Sequence, residues 1–146
     1  MNYSANHYFR KMRHLVYLLL LLGNCGAIAA GSASDKLVGT WAWTRPANHC
    51  TETLIFRSDG SLSTTSDKEK TDNQYLLTDP SNAGGRYRLT IHVIKDYGGK
   101  DCVNSVADDT GRTNTVYLEF LTGTEMRMCY QPAAGTCFGP LHKVGE

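Results

Sequence analysis

The residues of this sequence that could do chemistry are first of all its cysteines. Four of them follow an N-terminal leader: Cys50, Cys102, Cys129 and Cys137. Cysteines and histidines that bind zinc usually lie in pairs a few residues apart. No Cys-x-x-Cys pair occurs, and the histidines of the same region are widely separated: His49, His92 and His142. An even number of cysteines in an exported chain therefore predicts two disulfides and no metal site.

Four cysteines allow three disulfide pairings. A short hairpin would bring Cys129 close to Cys137, so we favour that pair, which leaves Cys50 to bond Cys102. Loop-closure entropy gives about 2.5 kcal/mol for the first bond and about 4 kcal/mol for the second. Contributions of this size are a large share of the net stability of a small domain.

Nucleophilic catalysis would need a nucleophile, a base and an orienting acid held together. Serines are plentiful, but the sequence has no G-x-S-x-G motif, and the scattered histidines do not suggest a triad. The cysteines are expected to be bonded. We therefore expect a protein that is not an enzyme. A hydrolase is the alternative, and it would require a cleft in which Asp, His or Ser side chains converge.

Oxygen-bearing side chains are concentrated in the polar segment 95–112: Asp96, Asp101, Asn104, Asp108 and Asp109. Calcium takes roughly 6–8 oxygen ligands, many of them from carboxylates. The D-x-[DN]-x-[DN]-G spacing of calcium loops is missing, and a solvated loop pinned by Cys102 accounts for the composition. We expect neither a metal nor a cofactor. A loop of this length is usually functional or pinned.

The N-terminal residues predict a secretory signal peptide. A basic segment, residues 10–14, precedes the apolar run Leu15–Leu22, and small residues follow. A helix needs about 20 apolar residues to cross a membrane, and this run has eight. Ala27-Ile28-Ala29 fits the A-x-A cleavage pattern. We therefore expect residues 1–29 to be removed as a signal peptide, whose true start could be Met12.

Cys25 leaves a second interpretation of the leader. Bacterial lipoprotein signals place a small residue before the cysteine that is acylated, whereas Asn24 precedes Cys25. We therefore expect a periplasmic or secreted protein. A lipoprotein anchored through Cys25 is the alternative.

The chain after the leader, residues 30–146, has the length of one domain. The whole sequence carries 15 basic and 14 acidic residues, and the leader holds three of the basic ones. The mature chain therefore has a formal charge of −2. This charge gives no basis for nucleic-acid binding. We expect a monomer without a transmembrane segment.

Short alternations of apolar and polar residues, separated by turn residues, predict an all-β fold. Residues 37–44 are expected to form the first strand, and Asp59-Gly60 a hairpin turn. Residues 67–70 are expected to form a solvated charged tip, and Pro140 to interrupt the last strand at an edge or bulge. About eight strands in sequence order favour a small antiparallel meander that forms a closed or partly open barrel, stabilised by disulfides.

The clearest alternation lies in residues 86–93. Four of its residues are expected to face the core: Tyr87, Leu89, Ile91 and Val93. The other four are expected to face water: Arg86, Arg88, Thr90 and His92. This pattern is typical of a strand with one buried face.

Aromatic residues of the predicted strands could form the core or a ligand site: Trp41, Trp43, Phe56, Tyr87, Tyr117 and Tyr130. A barrel of about eight strands has an interior that side chains fill or that holds one small ligand. Packing in the core is the simpler interpretation. In the other interpretation, Trp43, Phe56 and Tyr87 line a ligand cavity.

The start of the first strand, Leu37-Val38-Gly39-Thr40-Trp41, resembles the G-x-W motif of lipocalins and other lipocalin-like calycin proteins. The resemblance implies that Gly39 and Trp41 are structural, and that the tryptophan packs across the closed end of a barrel whose open end admits a small apolar ligand. It also implies an arginine near the last strand that stacks on the tryptophan. Arg127 is the candidate, but its alternation points it away from the core.

These features predict a small exported lipocalin-like β-barrel that binds a small apolar ligand. The alternative is a protein-binding module, such as an inhibitor of an envelope or host enzyme, that presents the loop 95–112. A fully packed interior would count against the first function. Failure to capture a partner would count against the second.

Overall fold

A computed structural model describes residues 32–80, 85–133 and 135–145 of the chain. In these ranges it has one helix and eight strands: α1 (Ala33–Leu37), β1 (Gly39–Thr44), β2 (Thr51–Phe56), β3 (Ser61–Ser66), β4 (Glu69–Thr78), β5 (Tyr87–Asp96), β6 (Thr113–Phe120), β7 (Glu125–Cys129) and β8 (Cys137–Val144). The predicted signal peptide and Cys25 lie outside the described residues. Within those residues, no helix has the length and apolar character needed to cross a membrane.

The eight strands form one closed antiparallel barrel in the order of the sequence. Each strand pairs with the next, and β1 closes the barrel by pairing with β8, where Thr40 lies opposite Val144. Three of the connections are tight turns, at residues 57–60, 67–68 and 121–124. In the β2–β3 turn, Asp59 Oδ1 accepts the Ser61 N–H at 2.9 Å, and Gly60 adopts a φ of +83° that glycine reaches without steric cost. The predicted all-β antiparallel meander is confirmed, and the barrel is closed.

Alternate side chains of the strands fill the barrel near the start of β1. The buried core consists of Leu37, Trp41, Leu54, Phe56, Leu62, Leu89, Leu118, Met126, Met128 and Leu141. On β5, Leu89 and Val93 are buried, and Tyr87 and Ile91 are partly buried, as the alternation predicted. Each fully buried large side chain contributes about 1.5–3 kcal/mol relative to exposure.

Helix α1 and Trp41 close this end of the barrel. Ser32 and Asp35 form a capping box, in which the Asp35 carboxylate accepts the Ser32 N–H at 2.9 Å. Leu37 ends the helix with no exposed surface, and its carbonyl accepts the Trp41 Nε1–H at 2.8 Å. The prediction that Leu37 begins the first strand is wrong, because the capping box starts a helical turn before it.

Gly39 leaves room for the Lys143 side chain beside Trp41. Its φ is +133°, and a Cβ atom there would lie 2.7 Å from Lys143 Cε. The Lys143 ammonium lies 5.7 Å from the centroid of the Trp41 ring, within cation–π range. Among the described residues, Lys143 on β8, and not Arg127, is the cation next to the Trp41 ring. Arg127 points outwards, where it contacts Glu119 at 2.9 Å.

The prediction of a solvated charged tip at residues 67–70 holds for Asp67 and Lys68, which are exposed in a turn, and is wrong for Glu69. Only Asp67 and Lys68 make the turn, because β4 begins at Glu69, which pairs with Ser66. Alternation along β4 places Glu69 on the same face as Asn73, which is 4% exposed. Glu69 therefore faces the interior of the barrel.

Arg86 does not face water as predicted, since it is 7% exposed. It lies just before β5, and its guanidinium donates to Glu119 Oε2 at 3.3 Å and to the Gln131 carbonyl at 3.0 Å. These two acceptors compensate the burial of its charge. His92 lies on the outer face of β5, half-exposed, with Nδ1 2.9 Å from Thr113 Oγ1.

The last strand, β8, continues through Pro140, and the expected disruption there takes the form of a bulge. The β7–β8 register shifts between Met126 and Met128, which makes the bulge that a proline tolerates. Tyr130 follows the end of β7 and is 63% exposed. It therefore lies outside the core.

Four connections form the rim at the opposite, open end: residues 45–50, 67–68, 97–112 and 130–136. The first and third are joined by the disulfide Cys50–Cys102, here called the rim disulfide, across 52 residues. Cys129 and Cys137 form the hairpin disulfide across eight residues. This is the pairing that we favoured. The long connection begins at Tyr97 rather than Lys95, because β5 extends to Asp96.

Candidate functional site

The barrel interior opens at the rim into a cavity of about 470 Å³. Its apolar wall consists of Leu54, Ile91, Val93, Val116, Met128 and Phe138. Its polar wall includes Glu52, Thr64, Glu69, Thr71, Asn73, Asn114, Asp109 and Arg112. Ligand cavities in proteins commonly measure about 300–1,000 Å³ and combine an apolar surface with a few polar groups. The cavity has both the size and the composition of a small-molecule site.

Strand geometry separates the polar and apolar parts of the cavity. On β2, alternation places Glu52, Leu54 and Phe56 on one face, running from the rim towards the core. The rise of about 3.3 Å per residue puts Glu52 about 7 Å nearer the rim than Leu54. On β4, Glu69 is likewise the inward residue nearest the rim. The mouth of the cavity is therefore acidic, and its deeper wall is largely apolar.

Glu52 is half-buried at the mouth, and its Oε1 lies 3.4 Å from Arg45 Nη1. Burial raises the pKa of Glu52, and the hydrogen bond and charge of Arg45 partly oppose that rise. The guanidinium of Arg45 also lies 5.3 Å from the centroid of the Trp43 ring. Arg45 is thus held between a carboxylate and an aromatic ring.

Glu69 has a more strongly perturbed carboxylate. Burial raises its pKa to about 7, with further increases from the negative charges of Asp96, Asp101, Asp109 and Glu52. Its backbone N–H donates to the Lys100 carbonyl at 3.1 Å. Its carboxylate has no hydrogen-bond or ion-pair partner among residues 32–80, 85–133 and 135–145. Titratable groups perturbed in this way cluster at functional sites.

Asn73 is the buried polar residue of the cavity wall. Its Nδ2 donates to the Thr71 Oγ1 at 2.9 Å and to the Leu62 carbonyl at 3.1 Å. With the side-chain amide oriented by these bonds, its Oδ1 accepts no hydrogen bond from the part of the chain that the structure describes. Alternation along β4 sets its inward direction, and the extra residue at the adjoining β4–β5 register shift is Ile94 of β5. Asn73 thus presents a hydrogen-bond acceptor at the cavity wall.

The acidic residues of the long loop mainly organise the loop itself. Asp101 Oδ1 accepts the Val103 and Ser105 N–H groups, and Asp108 Oδ1 accepts the Thr110 N–H. Asp109 pairs with Arg112 at 3.0 Å. Among the described residues, no group of three His, Cys, Asp or Glu side chains is arranged to hold a metal ion.

The rim disulfide is one of several bonds that hold the long loop over the cavity mouth. The Cys102 carbonyl accepts Asn48 Nδ2–H at 2.6 Å, and the Cys102 N–H donates to Ser66 Oγ at 3.0 Å. Gly99 lies so close to the β3–β4 turn that a Cβ would sit 2.5 Å from the Lys68 carbonyl oxygen. The loop is therefore pinned to the connections 45–50 and 67–68. Asp109 and Arg112 are held by β5, because the Asp109 N–H donates to Asp96 Oδ2 at 3.0 Å and the Arg112 carbonyl accepts the Val93 N–H at 2.9 Å.

The three residues predicted to line a cavity lie apart from this wall. Trp43 packs on Phe138, with ring centroids 5.1 Å apart. Phe56 is 1% exposed in the core. Tyr87 lies near the closed end, its ring centroid 5.8 Å from that of Phe120. Among the described residues, other side chains form the cavity wall. Of the three predicted residues, only Trp43 packs behind a wall residue, Phe138.

Sequence reasoning missed Glu52, Glu69 and Asn73 as residues of the site. The pattern Thr51-Glu52-Thr53-Leu54 contains a usable indication, because alternation puts Glu52 on the face of a buried leucine. The expectation that Glu69 lies in a loop conceals its inward direction. Asn73 shares one face of β4 with Tyr75 and Leu77, so alternation with these two residues is the indication that could have found it.

A scan against family models and searches of curated proteins and of solved structures found no match for this chain. The lipocalin resemblance therefore stays a prediction. What the site can do has to be argued from its geometry.

Proposed function

We propose that this protein binds one small molecule with an apolar body in the cavity at the open end of its barrel. The observation that carries the proposal is the cavity of about 470 Å³ with its apolar wall. Apolar surface removed from water contributes about 25 cal/mol per Å². A ligand inserted here would displace water from six apolar side chains at once.

The construction of the barrel supports this function. Helix α1 and the core beneath Trp41 close one end, so access is from the rim only. Disulfides and hydrogen bonds fix the rim connections, which lowers the ordering cost on binding. The predicted lipocalin resemblance points the same way, because it implies a closed end at the tryptophan and a ligand at the other end.

We propose that the protein works in the periplasm or outside the cell. The two disulfides support this location, since such bonds persist in oxidising compartments. The predicted signal peptide would deliver the chain there. Native mass spectrometry of the exported protein should give the mass of a chain that begins at Ala30, and a mass that retains residues 1–29 would contradict cleavage.

The binding proposal can be tested with a matched pair of tryptophan variants. Ile91 lines the cavity, whereas Ile94 on the same strand is 48% exposed on the outside. Neutral N-phenyl-1-naphthylamine fluoresces in apolar surroundings and should bind wild type with a dissociation constant on the order of 10 µM. Ile91→Trp should abolish this signal, because the larger side chain fills the cavity.

Ile94→Trp should bind the dye as wild type does, because it leaves the cavity unchanged. Far-UV circular dichroism checks that both variants fold. The absence of saturable dye binding to wild type would contradict the proposal. Equal binding by wild type and a folded Ile91→Trp protein would also contradict it.

A second candidate function is the binding of a protein partner, such as an envelope or host enzyme, through the long loop. Three apolar residues of this pinned loop are well exposed: Tyr97, Val103 and Val106. A double variant, Val103→Ser with Val106→Ser, should lose a partner that wild type captures from an envelope extract. Equal capture by both proteins would contradict this function.

A further inference from the structure

The free polar groups of the cavity indicate which ligand it takes, if the function proposed above is accepted. Inward-facing Glu69 stands at the mouth, and its carboxylate has no partner in the described part of the chain. A half-buried carboxylate without a partner is stabilised by any cation that reaches it. The cavity therefore offers an apolar ligand a site for positive charge next to its entrance.

The charges around Glu69 strengthen this preference. Glu52 faces it from β2, Asp96 from β5, and Asp101 and Asp109 from the long loop. Two arginines lie at the same end, but Arg45 is paired with Glu52 and Arg112 with Asp109. The lysines nearest in sequence are largely exposed: Lys68, Lys70, Lys95 and Lys100. Among the charged residues that line the cavity, three are acidic, Glu52, Glu69 and Asp109, and one is basic, Arg112, so the lining carries more negative than positive charge.

Asn73 supplies an independent observation from deeper in the cavity. The residue is 96% buried, since its exposure is 4%. All the hydrogen bonds of its side chain leave from Nδ2, and Oδ1 takes none from the described residues. Among the described residues, no fully buried side-chain nitrogen or oxygen lacks a hydrogen-bond partner, so Asn73 Oδ1 is open to the cavity. It can therefore accept a hydrogen bond from a donor group of a ligand.

We propose that the cavity binds an organic cation, an amine that is protonated at neutral pH and is carried on an apolar body. The body lies against the apolar wall, where Ile91 and Val116 are typical neighbours. The ammonium lies at the mouth beside Glu69. The Tyr130 and Phe138 rings, whose centroids are 5.7 Å apart, also line the cavity and add aromatic surface against which the apolar body can pack.

Three probes with the same eight-carbon chain separate charge from apolar burial. Octylamine is a cation at neutral pH, 1-octanol is neutral and octyl sulfate is an anion. Each is titrated against the protein loaded with N-phenyl-1-naphthylamine, and loss of dye fluorescence reports displacement. We expect octylamine to displace the dye at a concentration about tenfold lower than 1-octanol, and octyl sulfate to be the weakest.

Two charge variants locate the effect. Glu69→Gln removes the charge at nearly constant volume, and Asp79→Asn removes one charge at an exposed position beyond the closed end of β4. Octylamine should bind Glu69→Gln about tenfold more weakly and Asp79→Asn as it binds wild type. The affinity for 1-octanol should be the same in all three proteins. An equal loss of octylamine affinity in both variants would overturn the assignment to Glu69.

A pH series tests the role of the Glu69 charge in the wild-type protein, with Glu69→Gln as the control. Octylamine stays protonated from pH 5.5 to pH 8.5, as a lysine side chain does. Glu69 is ionised at pH 8.5 and neutral at pH 5.5, because its pKa is about 7. The amine should therefore bind wild type several-fold more tightly at pH 8.5, while Glu69→Gln shows no such change.

The outcomes distinguish this inference from the function on which it rests. If the dye binds and 1-octanol displaces it as well as octylamine does, the cavity binds ligands but does not select cations, and the inference is wrong. If the dye and all three probes fail to bind, the proposed function fails and the inference fails with it. Selective binding of octylamine that depends on Glu69 supports both.

Discussion

Replacing Glu69 by glutamine is expected to stabilise the folded protein at high pH. Glutamine keeps the size of the side chain and removes its charge. The folded protein raises the pKa of Glu69 from 4.5 to about 7, first by burial and then through nearby negative charges. Each negative charge at this mouth therefore costs folding free energy as long as no ligand cation is present.

The sign and size of the effect follow from proton binding. Between pH 4.5 and about pH 7 the folded protein holds the Glu69 proton, whereas the unfolded chain has lost it. The free energy of unfolding therefore falls as the pH rises through this window and stays lower above it. The full shift corresponds to about 3 kcal/mol. Because Glu69 is only half-buried, solvent screening reduces this to about 1 kcal/mol.

Urea denaturation at pH 4.5 and pH 8.5 measures this effect. Glu69→Gln should be about 1 kcal/mol more stable than wild type at pH 8.5 and equal to it at pH 4.5. Asp79→Asn serves as the charge control and should show no such dependence on pH. A Glu69→Gln protein that is no more stable than wild type at pH 8.5 would refute the reasoning, since it would mean that the Glu69 charge is already compensated.

Four further replacements test the fold that carries the cavity. Gly39→Ala should destabilise the protein by about 1–3 kcal/mol, because φ is +133° and a Cβ would meet Lys143; urea denaturation checks this, and an unchanged midpoint would contradict it. Trp41→Phe should lower the free energy of unfolding by about 3 kcal/mol, because it leaves the buried Leu37 carbonyl without its 2.8 Å donor and opens a small cavity. A decrease of less than about 1 kcal/mol would contradict the role of Trp41 in closing the barrel. Replacing the rim disulfide by alanines should lower the free energy of unfolding by about 4 kcal/mol, and replacing the hairpin disulfide should lower it by about 2.5 kcal/mol. If thermal unfolding showed the larger loss for the hairpin disulfide, the loop-entropy argument would be contradicted.

Local patterns were sufficient to predict most of the barrel. Strand β5 alternates cleanly, and β2 and β3 flank an Asp-Gly turn, so their pairing follows from neighbouring residues. Errors arose where a contact distant in sequence decides the outcome. Arg86 is buried because Glu119 and the Gln131 carbonyl accept its hydrogen bonds, and these partners cannot be identified from the strand itself.

The cavity was harder to predict than the strands. Large aromatic residues were expected to line it, but Phe56 and Tyr87 fill the core instead. The cavity begins where inward side chains become polar or smaller, as at Thr71 and Asn73 on β4. Side chains from seven different strands decide by their sizes which part of the interior stays unfilled. The pattern of any single strand therefore does not show where the cavity lies.

An NMR titration of isotope-labelled protein with octylamine tests the central claim most directly, because it reports both binding and its location. The account predicts saturable shifts of backbone amides at cavity residues such as Asn73, Ile91 and Asn114, and unchanged amides near Gly60 at the closed end. Absence of saturable shifts, or shifts confined to the outer face of the barrel around Ile94, would contradict it.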